Sequence, residues 1–340
     1  MKRLRILVVM HPSLVPPDSM KGYGEKESYD WKTEYDVVST LRRMRHEVRK
    51  LGVQDELLPI REAVEEWKPH VVFNLLEEFH GISEFDSHVV SYLELLRVPY
   101  TGCNPRGLMI ARGKALSKKL VHYHRIPVPA FLVVQRGRTV RRPRSMEFPL
   151  IVKSLTEEAS LGIAQASVVE NDERLEERVR FIHERVESDA IVEQYIEGRE
   201  LYVGVIGNHR LQVLPVWELK FEKMAAGSAM IATARVKHDP DYQEKRGIFQ
   251  QPAEDLTESQ IASIRRVSKR IYRTLDLDGY ARIDYRLRED GPLYFLEANP
   301  NPDIATTNEF ASAAEEAGMK YRDLLRKILN LGLQRAAADV

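Results

Sequence analysis

Four polar residues near the end of the chain have the type and spacing to hold a metal ion: Arg282 and Asp284, then Glu297 and Asn299. Ala281, Ile283, Tyr285 and Leu287 alternate with Arg282, Asp284, Arg286 and Arg288, the period of a strand. A second strand over 293–299 follows Glu289-Asp290-Gly291-Pro292, and Asp-Gly is a strong hairpin signal. Pro292 has no N–H to close a two-residue turn, so a four-residue loop is expected. A connection symmetric about Asp290-Gly291 sets Asp284 opposite Glu297 and Arg282 opposite Asn299, and residues two apart on a strand share a face. Two carboxylates and an amide oxygen beside a guanidinium suit Mg²⁺ carrying nucleotide phosphates, because that ion takes hard oxygen ligands and few of them from protein. Polar alternation alone also describes the wet face of an antiparallel sheet. Phe295 and Leu296 make this strand too apolar for that, and acidic groups on a largely buried strand need a partner such as a metal.

A hairpin is too small to hold such a site alone. At 340 residues the chain exceeds one compact core and should divide into two or three units. The run 4–10 is continuously apolar, as in a strand buried on both faces. Val37, Val38, Leu41, Met44 and Val48 recur at helical spacing; 70–76 is a second buried strand; Val98-Pro99-Tyr100 leads another to Thr101-Gly102. Such alternation predicts a parallel wound α/β sheet. Beyond residue 105 the pattern changes. Ile126-Pro127-Val128-Pro129 is stiff and extended, and 149–154 and 190–196 read as strands. Leu175, Val179, Ile182 and Val186 mark a helical face begun by an Asn171-Asp172 cap. The charged stretch 220–245 has no period and reads as loop. Thr257-Glu258-Ser259-Gln260 is a capping box before the stripe Ile261, Ile264, Val267 and Ile271, and Tyr321, Leu324, Leu325, Ile328 and Leu329 mark a last helix.

Bulk composition narrows the function classes. Lys+Arg and Asp+Glu both number 51, so a nucleic-acid or membrane-surface partner is not expected. The basic run Arg136, Arg138, Arg141, Arg142 and Arg144 reads as a solvated loop. The single cysteine, Cys103, precludes a disulfide within the chain, which suits a reducing cytoplasm, and reads as a small buried hydrophobe. The apolar run after the basic start is shorter than a signal-peptide core, and no stretch approaches membrane-spanning length.

The hairpin motif Arg282-Ile283-Asp284 with Phe295-Leu296-Glu297-Ala298-Asn299-Pro300 resembles the metal-binding hairpin of the ATP-grasp superfamily. Nearly the whole chain is similar to that superfamily's D-alanine–D-alanine ligase branch. Pro99-Tyr100-Thr101-Gly102, Lys114, Ile126-Pro127-Val128-Pro129, Val152-Lys153, Val192-Glu193-Gln194-Tyr195-Ile196 with Glu200, and Ala317-Gly318-Met319 follow its order and spacing. The resemblance implies an α/β fold, α+β in its ATP-grasp part. An N-terminal wound parallel-sheet domain (1–105) would precede a two-subdomain ATP-grasp fold, with a central lid (106–190) and a catalytic subdomain (191–335). It further implies a cytoplasmic homodimer that uses ATP and Mg²⁺, with Mn²⁺ as a substitute, and small carboxylate and amine substrates.

Residue roles implied by the resemblance are as follows. Lys114 and Lys153 would contact ATP phosphates, Glu193, Gln194, Tyr195 and Ile196 would read the adenine edge, and Glu200 would hold the ribose. Asp284, Glu297 and Asn299 would hold the metal. The segment 157–162 would be a flap over the triphosphate, with Ser160 in a catalytic role. Lys237 would be a further phosphate contact, and Arg282 would stabilise the tetrahedral oxyanion, an effect worth about 3 kcal/mol per donor. A carboxylate would be activated as an acyl phosphate and then joined to an amine. His80, before Gly81, would approach the first substrate.

The substrate half departs from the family pattern. The family's glutamate after the first strand is missing unless Glu25 or Glu27 replaces it from a longer loop. The family's Ser-Pro-Gly-containing loop is here Pro300-Asn301-Pro302-Asp303, and Asp303 would repel a carboxylate and suit a cation. Glu158 and Ala159 stand where the family has Gly and Ser. The expected activity is therefore a carboxylate–amine ligase whose acceptor is not D-alanine. The alternatives are a housekeeping D-alanine–D-alanine ligase and a catalytically inactive nucleotide-binding sensor or partner protein.

Overall fold

The computed structural model describes residues 2–156, 163–225 and 227–338. The first unit holds a parallel sheet of strands β1 (Arg5–Met10), β2 (Glu47–Gly52) and β3 (Val71–Asn74), ordered β2-β1-β3. β1 is apolar throughout because both of its faces are covered. Leu7 and Val9 enter one core; Ile6, Val8 and Met10 enter another beneath the helices Lys32–Arg43 and Tyr321–Ala338. The expected helix over 37–48 is shorter than its apolar period suggested. It ends at Arg43, Arg45 turns left-handed at φ 66°, and Val48 lies on β2 opposite Ile6. The segment ending in Thr101-Gly102 adds only a single parallel bridge, Val72 to Tyr100.

Four antiparallel strands make the second sheet, β4 (Phe131–Val134), β5 (Leu150–Ser154), β6 (Val168–Val169) and β7 (Ala190–Gln194), ordered β4-β7-β5-β6. It has its own core, in which Leu150, Val152 and Val192 meet Leu175 and Val179 of the helix Asp172–Phe181. That helix begins where the Arg174 N–H donates to the Asn171 side chain at 2.9 Å. The basic run before β5 is loop.

The third sheet is antiparallel: β8 (Arg199–Ile206), β9 (Gln212–Phe221), β10 (Ile248–Pro252), β11 (Tyr280–Leu287) and β12 (Leu293–Pro300), ordered β10-β9-β8-β11-β12. The stretch expected as loop, 220–245, instead carries the end of β9 and two short helices, Ala234–His238 and Pro240–Arg246. Each is started by a side-chain cap, Thr233 and Asp239, which a search for apolar period does not detect. The capping box at Thr257 and Gln260 opens the helix Glu258–Thr274, as its spelling predicts. The first and third sheets share both large cores. Gly102 and Gly279, both at positive φ, let them close: a Cβ on Gly279 would stand 2.4 Å from the Gly102 carbonyl oxygen.

Candidate functional site

The hairpin register was anticipated at the site and not at the turn. Five residues, 288–292, connect the strands instead of the expected four, so near the turn Leu287 faces Leu293 and Tyr285 faces Phe295. A β-bulge at Leu296 inserts one unpaired residue into β12, and beyond it Asp284 faces Glu297 and Arg282 faces Asn299. Without the bulge, the odd loop would carry Glu297 to the opposite face of the sheet. The Leu296 carbonyl, freed from the ladder, accepts a hydrogen bond from the Lys118 ammonium.

On the polar face of the hairpin Arg282 lies over the Tyr202 ring at 4.7 Å. Its Nε and Nη2 donate to the two Asp284 oxygens at 2.7 and 2.9 Å, and its Nη1 donates to Glu309. The Asn299 amide donates to Asp284 Oδ2 at 3.0 Å. Burial pushes the Asp284 carboxyl up to about 6 against the pull of Arg282. Burial would also raise Glu297, but Lys237, Lys114, Lys153 and Arg282 outweigh it and hold that group down to about 2. The two facing carboxylates are therefore driven apart, as like charges sharing a site are. Two carboxylates and an amide are an all-oxygen donor set of the kind Mg²⁺ takes, with phosphate and water left to complete it. Among the described residues no group of three or more His, Cys, Asp or Glu is arranged to hold a metal by itself.

A cleft of about 590 Å³ opens between the second sheet and this hairpin. Lys153 and Glu193 come to it from β5 and β7, with Lys153 Nζ 3.1 Å from Glu193 Oε2. The other Glu193 oxygen lies 3.3 Å from Lys118 Nζ, and both of these side chains are 1% exposed. Glu193 thus presents a carboxylate shared by two lysines. Gln194, Tyr195 and Ile196 line the cleft, as do Glu200, Lys237, Asp284 and Glu297. Glu200 on β8 pairs across the sheet with Arg286 on β11 at 2.8 Å and accepts from the Tyr202 hydroxyl at 2.9 Å. Lys114 is buried at the start of the helix Lys114–Tyr123 and, through its charge, lowers Glu297.

Two expected residues stand apart from that cleft. His80 is exposed at the tip of a tight turn with φ 58° and lines neither described cavity. Asp303 borders a second cavity, where the Thr33 hydroxyl, the Ala305 N–H at 2.7 Å and the Asn308 amide all donate to it. Glu27 caps its own short helix through the Gly24 N–H at 2.9 Å. Ser160 and the flap 157–162, with Glu158 and Ala159, lie outside the described residues. Sequence reasoning missed Lys118, Glu309 and Arg286. Lys118 had a signal, because it follows Lys114 by four residues and so shares its helix face. Glu309 had none; only the chain's path brings it to Arg282. Cys103 is fully buried, and burial pushes its thiol well up, so it stays protonated as a packing residue.

The second cavity, about 310 Å³, lies between the first unit and the loop after β12. Glu34 lines it from the helix Lys32–Arg43, is 5% exposed, and has no hydrogen-bond partner at Oε2. Burial, with Glu77 and Asp303 adding repulsion, lifts its pKa from 4.5 to about 8. A raised carboxyl pKa means that the folded chain holds the proton more tightly. Its stabilising contribution is therefore complete below 4.5 and lost as pH rises toward about 8. Glu34→Gln should flatten that slope and be more stable than wild type at pH 8, by about 2 kcal/mol. Urea unfolding at pH 4.5 and pH 8 checks this; equal stabilities for the two proteins at pH 8 would contradict it.

Comparisons with known proteins agree with this architecture. The family model described as "D-ala D-ala ligase C-terminus" matches residues 120–330. An uncharacterized protein, y4sG, of Sinorhizobium fredii is 33% identical over 266 residues, 78% of this chain and 75% of that one. A D-alanine–D-alanine ligase of Pelotomaculum thermopropionicum is 26% identical over 93% of this chain and 95% of its own length. The crystal structure of D-alanine–D-alanine ligase from Bacillus anthracis complexed with ATP shares the fold, with a TM-score of 0.75 at 20% identity, covering 99% of this chain and 100% of that one. With a family model covering more than half its length and the ATP-grasp hairpin at its centre, this chain belongs to the D-alanine–D-alanine ligase family of ATP-grasp ligases.

Proposed function

We propose that the protein activates a carboxylate with ATP and Mg²⁺ as an acyl phosphate and joins it to an amine other than D-alanine, releasing ADP and phosphate. The observation that carries this reading is one cleft lined by Asp284, Glu297, Lys153 and Lys237, with Arg282 and Asn299 hydrogen-bonded to Asp284 beside it. Asp284, Glu297 and Asn299 would hold Mg²⁺, which would supply positive charge to the phosphate oxygens. The chain's own groups do the rest. Lys114, Lys153 and Lys237 offset phosphate charge. Gln194, Tyr195 and Ile196 border the adenine end, and Glu200, oriented by Arg286 and Tyr202, takes the ribose hydroxyls. Arg282, held by Asp284 and Glu309, donates to the oxyanion formed when the amine attacks.

Asp303 supports the exclusion of D-alanine as acceptor. Three donors fix its carboxylate at the rim of the second cavity, where an acceptor carboxylate would meet like charge. The competing reading, D-alanine joined to D-alanine, is favoured by what the curated relatives are named. Phosphate release from ATP and Mg²⁺ with D- and L-amino acids, small carboxylates and amines, singly and in pairs, decides between them. Release dependent on one pair without D-alanine as acceptor is expected; D-alanyl-D-alanine made at an ordinary enzymatic rate would defeat the proposal.

A further inference from the structure

Lys118 is a buried cation that the reaction above does not use. It sits on the helix Lys114–Tyr123, is 1% exposed, and does not line the larger cleft. Burying an ammonium is costly unless it is paired and hydrogen-bonded. Glu193 Oε1 lies 3.3 Å from its Nζ, the Phe295 ring centroid lies 5.7 Å away, and the Nζ donates to the Leu296 carbonyl. Leu296 is the extra residue of the β-bulge in β12. Its carbonyl has left the ladder, and such a group is costly to leave unpaired away from water. Beside it the Phe295 N–H donates to the Pro127 carbonyl at 2.9 Å, so the bulged stretch is tied twice to the helix Lys114–Tyr123 and the segment after it. A lysine that only balanced Glu193 would need no reach to the hairpin, and Lys153 already lies 3.1 Å from the other Glu193 oxygen.

We propose that Lys118 is a positioning residue for the metal site: its ammonium pins the bulge at Leu296 and so keeps the Glu297 carboxylate on the face it shares with Asp284. Without a donor at this position the strand recovers ladder bonds by expelling the bulge, and a shift of one residue turns Glu297 away from Asp284. Lys118 acts through Glu297 and not on the nucleotide. The inference rests on the metal reading of the hairpin, not on the identity of either substrate.

Mn²⁺ titration of the full-length protein with ADP present, followed by the paramagnetic resonance signal of the free ion, tests this without turnover. Lys118→Met should weaken Mn²⁺ binding by about tenfold or more, as changes behind a metal ligand do. Lys119→Met, at the exposed neighbouring position, should leave it unchanged. In phosphate release, the Mg²⁺ concentration for half-maximal rate should rise by a similar factor for Lys118→Met while KM for the amine stays constant, a split that loss of stability alone does not produce. The circular dichroism spectrum of each variant establishes its fold. If the methionine variant does not fold, Lys118→Gln, whose shorter side chain stops short of the Leu296 carbonyl, is expected to show the same loss and decides in its place. Mn²⁺ affinity of the folded variant within about twofold of wild type, or an equal loss in Lys119→Met, would overturn the proposal. A wild-type protein that binds no Mn²⁺ would remove the metal reading and the proposal with it. Failure of the ligase reading alone shows as Mn²⁺ and ADP bound without phosphate release for any substrate pair, and leaves the Mn²⁺ comparison decisive.

Discussion

Asp284→Asn should abolish phosphate release while the protein stays folded, with kcat down by about 10²–10³-fold or more. The change keeps the side chain's shape and its place opposite Glu297, but removes one of the two negative charges proposed to hold the metal. It also leaves Arg282 with Glu309 as its one carboxylate partner among the described residues. Metal affinity and oxyanion stabilisation should both suffer, so the loss should fall on kcat and on the Mg²⁺ concentration required, less on ATP binding. Steady-state phosphate release at several Mg²⁺ concentrations checks this. Activity within a few-fold of wild type would take Asp284 out of the catalytic site. In a protein that only binds nucleotide or a partner, the same substitution would leave function largely intact.

The largest effect on stability should come from Glu193→Gln. Glu193 on β7 neutralises Lys153 on β5 and Lys118 on the helix Lys114–Tyr123, and Lys118 in turn donates to the bulge carbonyl of Leu296 on β12. The cluster therefore ties the second sheet to the catalytic hairpin. Burial alone would raise Glu193, yet Lys118 and Lys153 hold it below the usual carboxylate range. Neutralising it leaves two lysines, one of them 1% exposed, with no counter-charge between them. Removal of one partner from a buried ionic cluster costs about 3–5 kcal/mol. Lys118→Met should cost less, because Lys153 still compensates Glu193. Denaturant unfolding followed by fluorescence checks the order, and a Glu193→Gln protein losing under about 1 kcal/mol would mean that the cluster is solvated in solution.

Several elements were legible because their cause is local. A capping box is a contact within one turn, so Thr257 and Gln260 announced their helix. An apolar run in a sheet covered on both sides is a statement about burial, so β1 and β3 were readable. Failures also had local causes. Val48 continued a helical period by coincidence after the chain had turned at Arg45. Thr233 and Asp239 start helices too short to show a period. The hairpin face emerged correctly from a wrong loop length, because the bulge at Leu296 cancelled the extra turn residue.

The sequence by itself determined the chemistry available: which strand face bears Arg282 and Asp284, that Glu297 and Asn299 oppose them, and that the chain resembles a family built around such a hairpin. Alternation and capping are set between neighbours in the chain, so they survive without a fold. Tertiary structure alone decided which groups compensate one another across long separations. Examples are Glu309 against Arg282, Glu193 between Lys118 and Lys153, and Glu34 left uncompensated in its cavity. The physical reason is that a buried charge is priced by everything around it, and those surroundings come from distant segments brought together only when the sheets share their cores.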